Sequence, residues 1–333
     1  MKPPAFWSNP PERPGFAARL LAPAGALYAR ATANSIAKAA PFDPGVPVVC
    51  VGNATLGGVG KTPFARLAMS LLQADGIDGW FLSRGYGGRE AGPVRVDPGR
   101  HSAADVGDEP LMLAATAPCL VARDRADGAR AAVEAGARAI IMDDGFQNPS
   151  LKKTLSLLLV DGTAAFGNGR VFPAGPLREP AETAAARADA LVVVAAGPTS
   201  PVAAALEGFA PHPPRLKAWL EPDSPAPERV FAFCGIGRPE KFFETLRAAG
   251  YEVAGARGFA DHRPYTDADL DALRADAAAT GARLITTEKD AARLGGRLPE
   301  AAVLNVAMRV DDETALRGLL RRATGFDAPG DRR

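Results

Sequence analysis

The stretch Val48 to Ala68, VVCVGNATLGGVGKTPFARLA, joins a β-branched apolar run to a glycine-rich turn and then to a helix-spaced apolar series. No other feature constrains the fold of this chain as tightly. Val46 to Val51 reads as a buried strand running into Gly52, and beyond Lys61 and Thr62 the apolar residues Phe64, Leu67, Ala68, Leu71 and Leu72 fall on one helical face. Strand, glycine loop and helix in that order are the setting of a phosphate-binding loop, G-x-x-x-x-G-K-[ST]. Thr55 stands where that pattern has its first glycine. Its presence alters how the loop begins but leaves the donors in place. The loop runs through Thr55, Leu56, Gly57, Gly58, Val59 and Gly60; its glycines let backbone N–H groups close around phosphate oxygens, Lys61 sets a charge on the outer phosphates, and Thr62 offers a hydroxyl to Mg2+. The alternative is a turn that uses glycine only for its positive φ.

Around this motif, apolar runs alternate with helix-spaced segments, the pattern of a parallel sheet covered by helices. Strands are expected near Val46 to Val51, Gly79 to Leu82, Ala139 to Met142, Leu155 to Val160 and Leu191 to Ala195. A proline-rich segment, Pro198 to Pro227, precedes a second set: Arg229 to Cys234, Tyr251 to Ala254, Arg283 to Ile285 and Ala302 to Val306, with helices near Lys241 to Ala249 and Asp267 to Thr280. The expected class is α/β: an N-terminal amphipathic segment over residues 1–42, a P-loop NTPase-like parallel sheet over 43–210, and a second, smaller α/β lobe over 211–333 that closes over the cleft. With 333 residues, 47% of them apolar, the chain can build two cores. Its 39 basic and 38 acidic residues nearly cancel, so no global field gathers nucleic acid, and no obligate protein partner is evident. Cys50, Cys119 and Cys234 are far apart in apolar contexts, without metal or redox spacing, which suits a reducing cytosol.

Before Asp43 the only acidic residue is Glu12, against Lys2, Arg13, Arg19, Arg30 and Lys38, interleaved with Phe6, Trp7, Phe16, Leu20, Leu21, Leu27 and Tyr28. The apolar stretch LLAPAGALYA falls short of the roughly 18 residues that cross a bilayer, and Pro23 is expected to kink a helix there. Two readings follow: an amphipathic helix packed on its own domain, or one lying among lipid headgroups.

Acidic residues give the loop its possible chemistry. ARAIIMDDGFQ ends a strand in Asp143 and Asp144, with Gln147 just beyond; acids at the carboxyl end of a strand beside a phosphate loop orient Mg2+ or water, and only one of two neighbours faces the metal. A solvated turn also tolerates Asp-Asp-Gly. Asp108 and Glu109 open an apolar helical run, where the helix dipole alone explains one acid more easily than two. His262 follows Asp261 in a loop before a helix of the second lobe, and spacing alone favours a structural role for it; His101 and His212 have no chemical neighbours in sequence.

Taken in order, GNATLGGVGKTP, SRGYGG, VGDEPLML, DDGFQN, GRVFPAGPLREP, FCGIGRPEKFF, FADH and TTEKD make the chain resemble the tetraacyldisaccharide 4′-kinases of lipid A biosynthesis, over most of its length from Gly52 to Asp290. That family's loop departs from the usual pattern in a similar way. Asn148, where a histidine often follows D-D-G-F-Q, and Arg263 after His262 are departures, and they put in doubt a role for the side chain at 148.

The resemblance implies transfer of phosphate from ATP to the 4′-hydroxyl of tetraacyldisaccharide 1-phosphate, giving lipid IVA, by a peripheral protein at the cytoplasmic face of the inner membrane. A four-chain lipid stays in its bilayer, so the resemblance favours the headgroup reading of the N-terminal segment. It also implies Asp108 as the base, oriented by His262, with Lys61 on the phosphates and Asp143, Asp144, Gln147, Arg178, Glu179 and Glu109 near the phosphates and metal. Thr62, Gln147 and Glu179 are the implied Mg2+ ligands, and Ser83 and Arg84 lie at the cleft. Lys61 and His262 on different lobes would need lobe closure to meet. Two other classes share the loop: a partition-type nucleotide switch, which has a lysine where Leu56 stands, and a membrane module that only binds nucleotide.

Overall fold

The computed structural model of the chain describes residues 3–207, 213–223 and 228–325; His212 and parts of the proline-rich segment lie outside them. Thirteen strands occur among the described residues: β1 (Val48–Asn53), β2 (Gly79–Ser83), β3 (Val94–Arg95), β4 (Cys119–Val121), β5 (Ala139–Asp143), β6 (Leu155–Asp161), β7 (Ala190–Ala195), β8 (Arg215–Pro222), β9 (Arg229–Cys234), β10 (Glu252–Gly258), β11 (Arg283–Thr287), β12 (Ala302–Leu304) and β13 (Val306–Val310). Nine form one sheet in the order β13-β8-β7-β6-β1-β5-β2-β4-β3. Its seven central strands run parallel, and β13 and β3 lie antiparallel at the two edges. The other four strands form a parallel sheet, β10-β9-β11-β12.

β1, β5, β6 and β7 are buried at every position, as a parallel sheet covered on both faces requires. Alternation along β1 sends Val49 and Val51 to the face that packs Phe64 and Met69 of the Lys61–Ala74 helix, while Val48 and Cys50 join separate clusters on the other face. The phosphate loop therefore leaves the carboxyl edge of a central strand.

The division expected at residue 211 does not follow the strands. β8, placed in the second lobe by that division, pairs with β7 in the large sheet, and the chain returns there after the small sheet. The single strand expected at Ala302 to Val306 is two: β12 pairs with β11, and β13, past Asn305, pairs with β8. The closing Glu313–Thr324 helix then buries Leu316 and Leu320 in the large-sheet core, and Arg321 forms a two-pronged ion pair with Asp75. The small sheet is thus an insertion between two neighbouring strands of the large one.

A single helix, Phe16–Lys38, contains Pro23, which is exposed, so water can meet the carbonyl that proline leaves unpaired. Its buried positions are Ala18 and Gly25, and a side chain at Gly25 would collide with the Val171 carbonyl at 2.7 Å. Small residues therefore face the protein, while Phe16, Leu20 and Leu27 are 81%, 68% and 71% exposed. Edge-on contacts of Phe172 with Trp7 and Tyr28 extend that apolar surface. Among the described residues, no helix is long and apolar enough to cross a membrane.

Candidate functional site

Gly60, at φ 88°, turns the loop into the Lys61–Ala74 helix, a backbone conformation that a β-carbon would strain. Nothing stands within 4 Å of where side chains at Gly57 and Gly58 would project, so the loop face is open. The start of the loop, where Thr55 replaces glycine, is stitched to the GRVFPAGPLREP segment: Leu56 N donates to Pro176 O (2.7 Å), Arg178 N donates to Ala54 O (2.7 Å), and Thr55 bridges Leu177. Asn53 Nδ2 also donates to the Thr55 carbonyl at 2.7 Å. Cross-chain hydrogen bonds thus hold the segment that a first glycine would otherwise shape.

The two aspartates after β5 are separated by geometry. Asp143 accepts a hydrogen bond from Thr62 Oγ1 at 3.0 Å, while its Oδ1 is buried without a partner among the described residues. Burial, reinforced by the nearby charge of Glu109, pushes the Asp143 carboxyl up to about 7. Asp144, at φ 54°, turns away to a two-pronged pair with Arg178 (2.8 and 3.1 Å) and lies 3.8 Å from Lys61 Nζ. Burial opposes its ionisation, but Lys61 and Arg178 hold its carboxyl below the ordinary range.

Thr62 and Asp143 fit a hard divalent cation, because a hydroxyl and an orphaned carboxylate oxygen are both oxygen donors. Among the described residues, no group of three or more His, Cys, Asp or Glu could hold an ion by itself. Phosphate oxygens and water would have to complete the shell, as is usual for Mg2+ at a nucleotide. Gln147 and Glu179, the other two ligands expected from the sequence, have their polar atoms engaged elsewhere: Gln147 Nε2 donates to Asn53 O (2.9 Å) and Glu179 Oε1 (3.0 Å), Gln147 Oε1 accepts from Arg178 (3.3 Å), and Glu179 Oε2 pairs with Arg187. Lys61 Nζ also donates to Asn53 Oδ1 at 3.3 Å.

A second polar cluster is built by both lobes. Gly107 (φ 90°) passes so close to the Tyr86 carbonyl that a β-carbon would lie 2.6 Å from it, and Asp108 follows as the first residue of the Asp108–Ala114 helix. His262, itself at φ 58°, brings Nδ1 to 3.3 Å from Asp108 Oδ2, and its ring meets Tyr86 edge-on at 5.3 Å. Lys289 Nζ lies 3.3 Å from His262 Nε2. An ammonium has only protons to offer, so Nε2 accepts and the ring proton sits on Nδ1, facing Asp108. Burial alone would raise the Asp108 carboxyl; the His262 hydrogen bond, the Lys289 charge and Arg293 outweigh it and hold the group well below the ordinary range.

Lys289 and Arg293 carry little signal in the sequence. They stand one turn apart on the Glu288–Leu294 helix and reach two successive acids, Lys289 to Glu109 (3.3 Å) and Arg293 to Asp108 (2.6 Å). Their only signal was position just within and beyond TTEKD. Further bridges join the lobes at Arg66–Glu288 (2.9 Å) and, across the cleft, from Lys241 and Arg238 to Asp161 (both 3.0 Å). Of the other expected residues, Ser83 is buried and Arg84 exposed. Asn148 caps its own turn by accepting from Ser150, and Arg263 pairs with Asp269 at the start of a helix. His101 Nδ1 accepts from Asp97 N in a surface loop.

A family model described as tetraacyldisaccharide-1-P 4′-kinase matches residues 17–324. The tetraacyldisaccharide 4′-kinase of Dinoroseobacter shibae is 51% identical over 96% of this chain and 97% of its own length. That of Methylorubrum extorquens is 52% identical over 97% and 99%. Among solved structures, the "apo" form of LpxK from Aquifex aeolicus in complex with ATP superposes with a TM-score of 0.76 at 28% identity, covering 93% of this chain and all of that one.

Proposed function

We propose a phosphotransfer mechanism on a plain premise: the chain belongs to the tetraacyldisaccharide-1-P 4′-kinase family. It transfers the γ-phosphate of ATP to the 4′-hydroxyl of tetraacyldisaccharide 1-phosphate, giving lipid IVA. The observation that carries the site assignment is the meeting of two half-sites at one cleft: the Thr62–Asp143 pair on the phosphate side and Asp108 with His262 on the acceptor side, linked by Glu109, whose charge reaches Asp143.

In this reading the loop amides and Lys61 hold the β- and γ-phosphates, Lys61 exchanging Asn53 and Asp144 for phosphate oxygens. Thr62 and Asp143 would hold Mg2+, which would supply charge neutralisation at the phosphates; Gln147 and Glu179 bond one another and hold Arg178 and Arg187 in turn. Asp108 accepts the hydroxyl proton as the new P–O bond forms and the bond to the ADP oxygen breaks. A carboxylate held so firmly ionised is a weak base, which suits a loose transition state in which proton transfer comes late and alignment dominates. Arg178 offsets charge developing at the phosphates.

The exposed face of the Phe16–Lys38 helix supports a seat in the headgroup layer of the bilayer that holds the substrate, which we assign to the cytoplasmic face of the inner membrane. The test is a label-transfer assay with γ-labelled ATP, Mg2+ and detergent-dispersed tetraacyldisaccharide 1-phosphate. Label migrating with the lipid supports the reading; label confined to inorganic phosphate favours a nucleotide switch instead.

A further inference from the structure

We infer that Arg293 is a positioning residue for Asp108, reaching across the lobe junction to fix the orientation of its carboxylate and to leave Oδ1 as the oxygen that meets the acceptor hydroxyl. The inference rests on the reading of Asp108 as the base and adds how that base is held.

The guanidinium is clamped from behind. Its Nη1 donates to Asp290 Oδ1 at 2.9 Å and to Gly235 O at 3.1 Å, while Nη2 donates to Asp108 Oδ2 at 2.6 Å. Asp290 is fully buried and is itself fixed: Oδ1 accepts from Tyr265 OH (2.8 Å) and Gly235 N (2.9 Å), and Oδ2 accepts from Thr287 Oγ1 (2.6 Å). The Arg293 side chain is 6% exposed. A planar fork held at one end in a dry environment directs its other end to one point, which a flexible ammonium would not do.

Counting lone pairs gives the consequence. Each carboxylate oxygen ordinarily accepts about two hydrogen bonds, the crowded Oδ1 of Asp290 with three being an exception. Oδ2 of Asp108 faces both Arg293 and His262 Nδ1, whereas Oδ1 accepts only the Glu109 amide at 3.1 Å among the described residues. The oxygen with capacity to spare is Oδ1. Arg293 thus acts through Asp108, and its removal frees the carboxylate to rotate and present the wrong oxygen.

The test is a double-mutant cycle on the full-length protein, with kcat expressed per site that binds ATP so that misfolded protein drops out. Arg293→Gln is expected to lower kcat roughly 10- to 100-fold while KM for ATP changes by less than about threefold, in line with the loss of an outer hydrogen-bond partner. Arg293→Lys, which keeps the charge and loses the fork, falls between. Asp290→Asn, which bonds Arg293 but not Asp108, lowers kcat in the same direction by less. In an Asp108→Ala background, Arg293→Gln costs less than about twofold, because the group it acts through is gone. An equal loss in both backgrounds overturns the inference, as does a loss confined to KM for ATP. If Asp108→Ala alone keeps near-normal turnover, the reading of Asp108 as the base fails first, and the two failures are told apart.

Discussion

His262 Nδ1 lies 3.3 Å from Asp108 Oδ2, although the two are 154 positions apart in sequence and lie in connections of different sheets, Asp108 at the start of a helix and His262 in the turn after β10. The contact depends on the small sheet being inserted between β8 and β13, so that its loops face the carboxyl edge of the large one. On the proposed reading of Asp108 as the base, lobe docking and assembly of that base are therefore one event. Removing the carboxylate with Asp108→Ala is expected to lower kcat by about 10²- to 10⁴-fold, the usual range for a positioned proton acceptor. His262→Ala, which leaves Arg293 on the carboxylate, is expected to cost less. Affinity for ATP, measured by calorimetry, stays near that of the parent in both.

Thr62 joins the loop to Asp143 through a single 3.0 Å hydrogen bond. Thr62→Val keeps the shape and removes the donor, leaving a buried carboxylate with neither oxygen satisfied, at a cost of about 1–3 kcal/mol. That cost falls on stability and is read as a lower Tm; Mg2+-dependent ATP binding is expected to weaken separately, through loss of the hydroxyl ligand, while binding measured with the metal chelated changes far less. Equal weakening with and without metal would remove Thr62 from the cation site.

Acid should loosen the lobes. Asp161 is buried and takes amide protons from Thr163 and Ala164 as well as Lys241 and Arg238 of the second lobe. Burial works against ionisation, yet these donors hold its carboxyl below the ordinary value of 3.8. A depressed folded-state value means the carboxylate contributes stability fully above the unfolded-chain value, and that contribution fades as pH falls through the folded one. Asp161→Asn is thus expected to lower Tm at pH 7. The gap between the two proteins narrows steadily below about pH 4, which a series of thermal melts would follow.

Phe16, Leu20 and Leu27 lie on the outward face of a helix whose inward positions are Ala18 and Gly25. Since each large apolar side chain contributes about 1.5–3 kcal/mol when buried, replacing all three by serine is expected to cut sedimentation with anionic phospholipid vesicles at least tenfold. Tm should move by less than a few degrees, because these side chains touch little of the protein. A large fall in Tm with unchanged vesicle binding would mean that the face packs on protein in solution.

What the sequence made legible was local. The strand, loop and helix around Gly52 to Thr62 carry their periodicity and glycines within some twenty residues, and Asp143 and Asp144 follow a buried run whose end is plain. Less legible was anything decided by a distant partner. Ala302 to Val306 reads as one apolar run, yet Asn305 hands the chain from one sheet to the other, and β13 is a strand because Trp219 and Ala218 of β8 wait beside it. Nothing near Arg293 announces Asp108, since burial of the Arg293–Asp290 pair is a tertiary property. The Phe16–Lys38 helix runs through Pro23 at an exposed position, where water can meet the carbonyl that the proline leaves unpaired.

The central claim is that the cleft directs the terminal phosphate of ATP to one sugar oxygen. Phosphorus NMR of the purified lipid product tests it most directly. The account predicts a second phosphomonoester resonance coupled through three bonds to the proton on the 4′ carbon, absent with Asp108→Ala. A product carrying its new phosphorus as a diphosphate on the 1-position, or a lipid recovered unchanged while ADP accumulates, would contradict it.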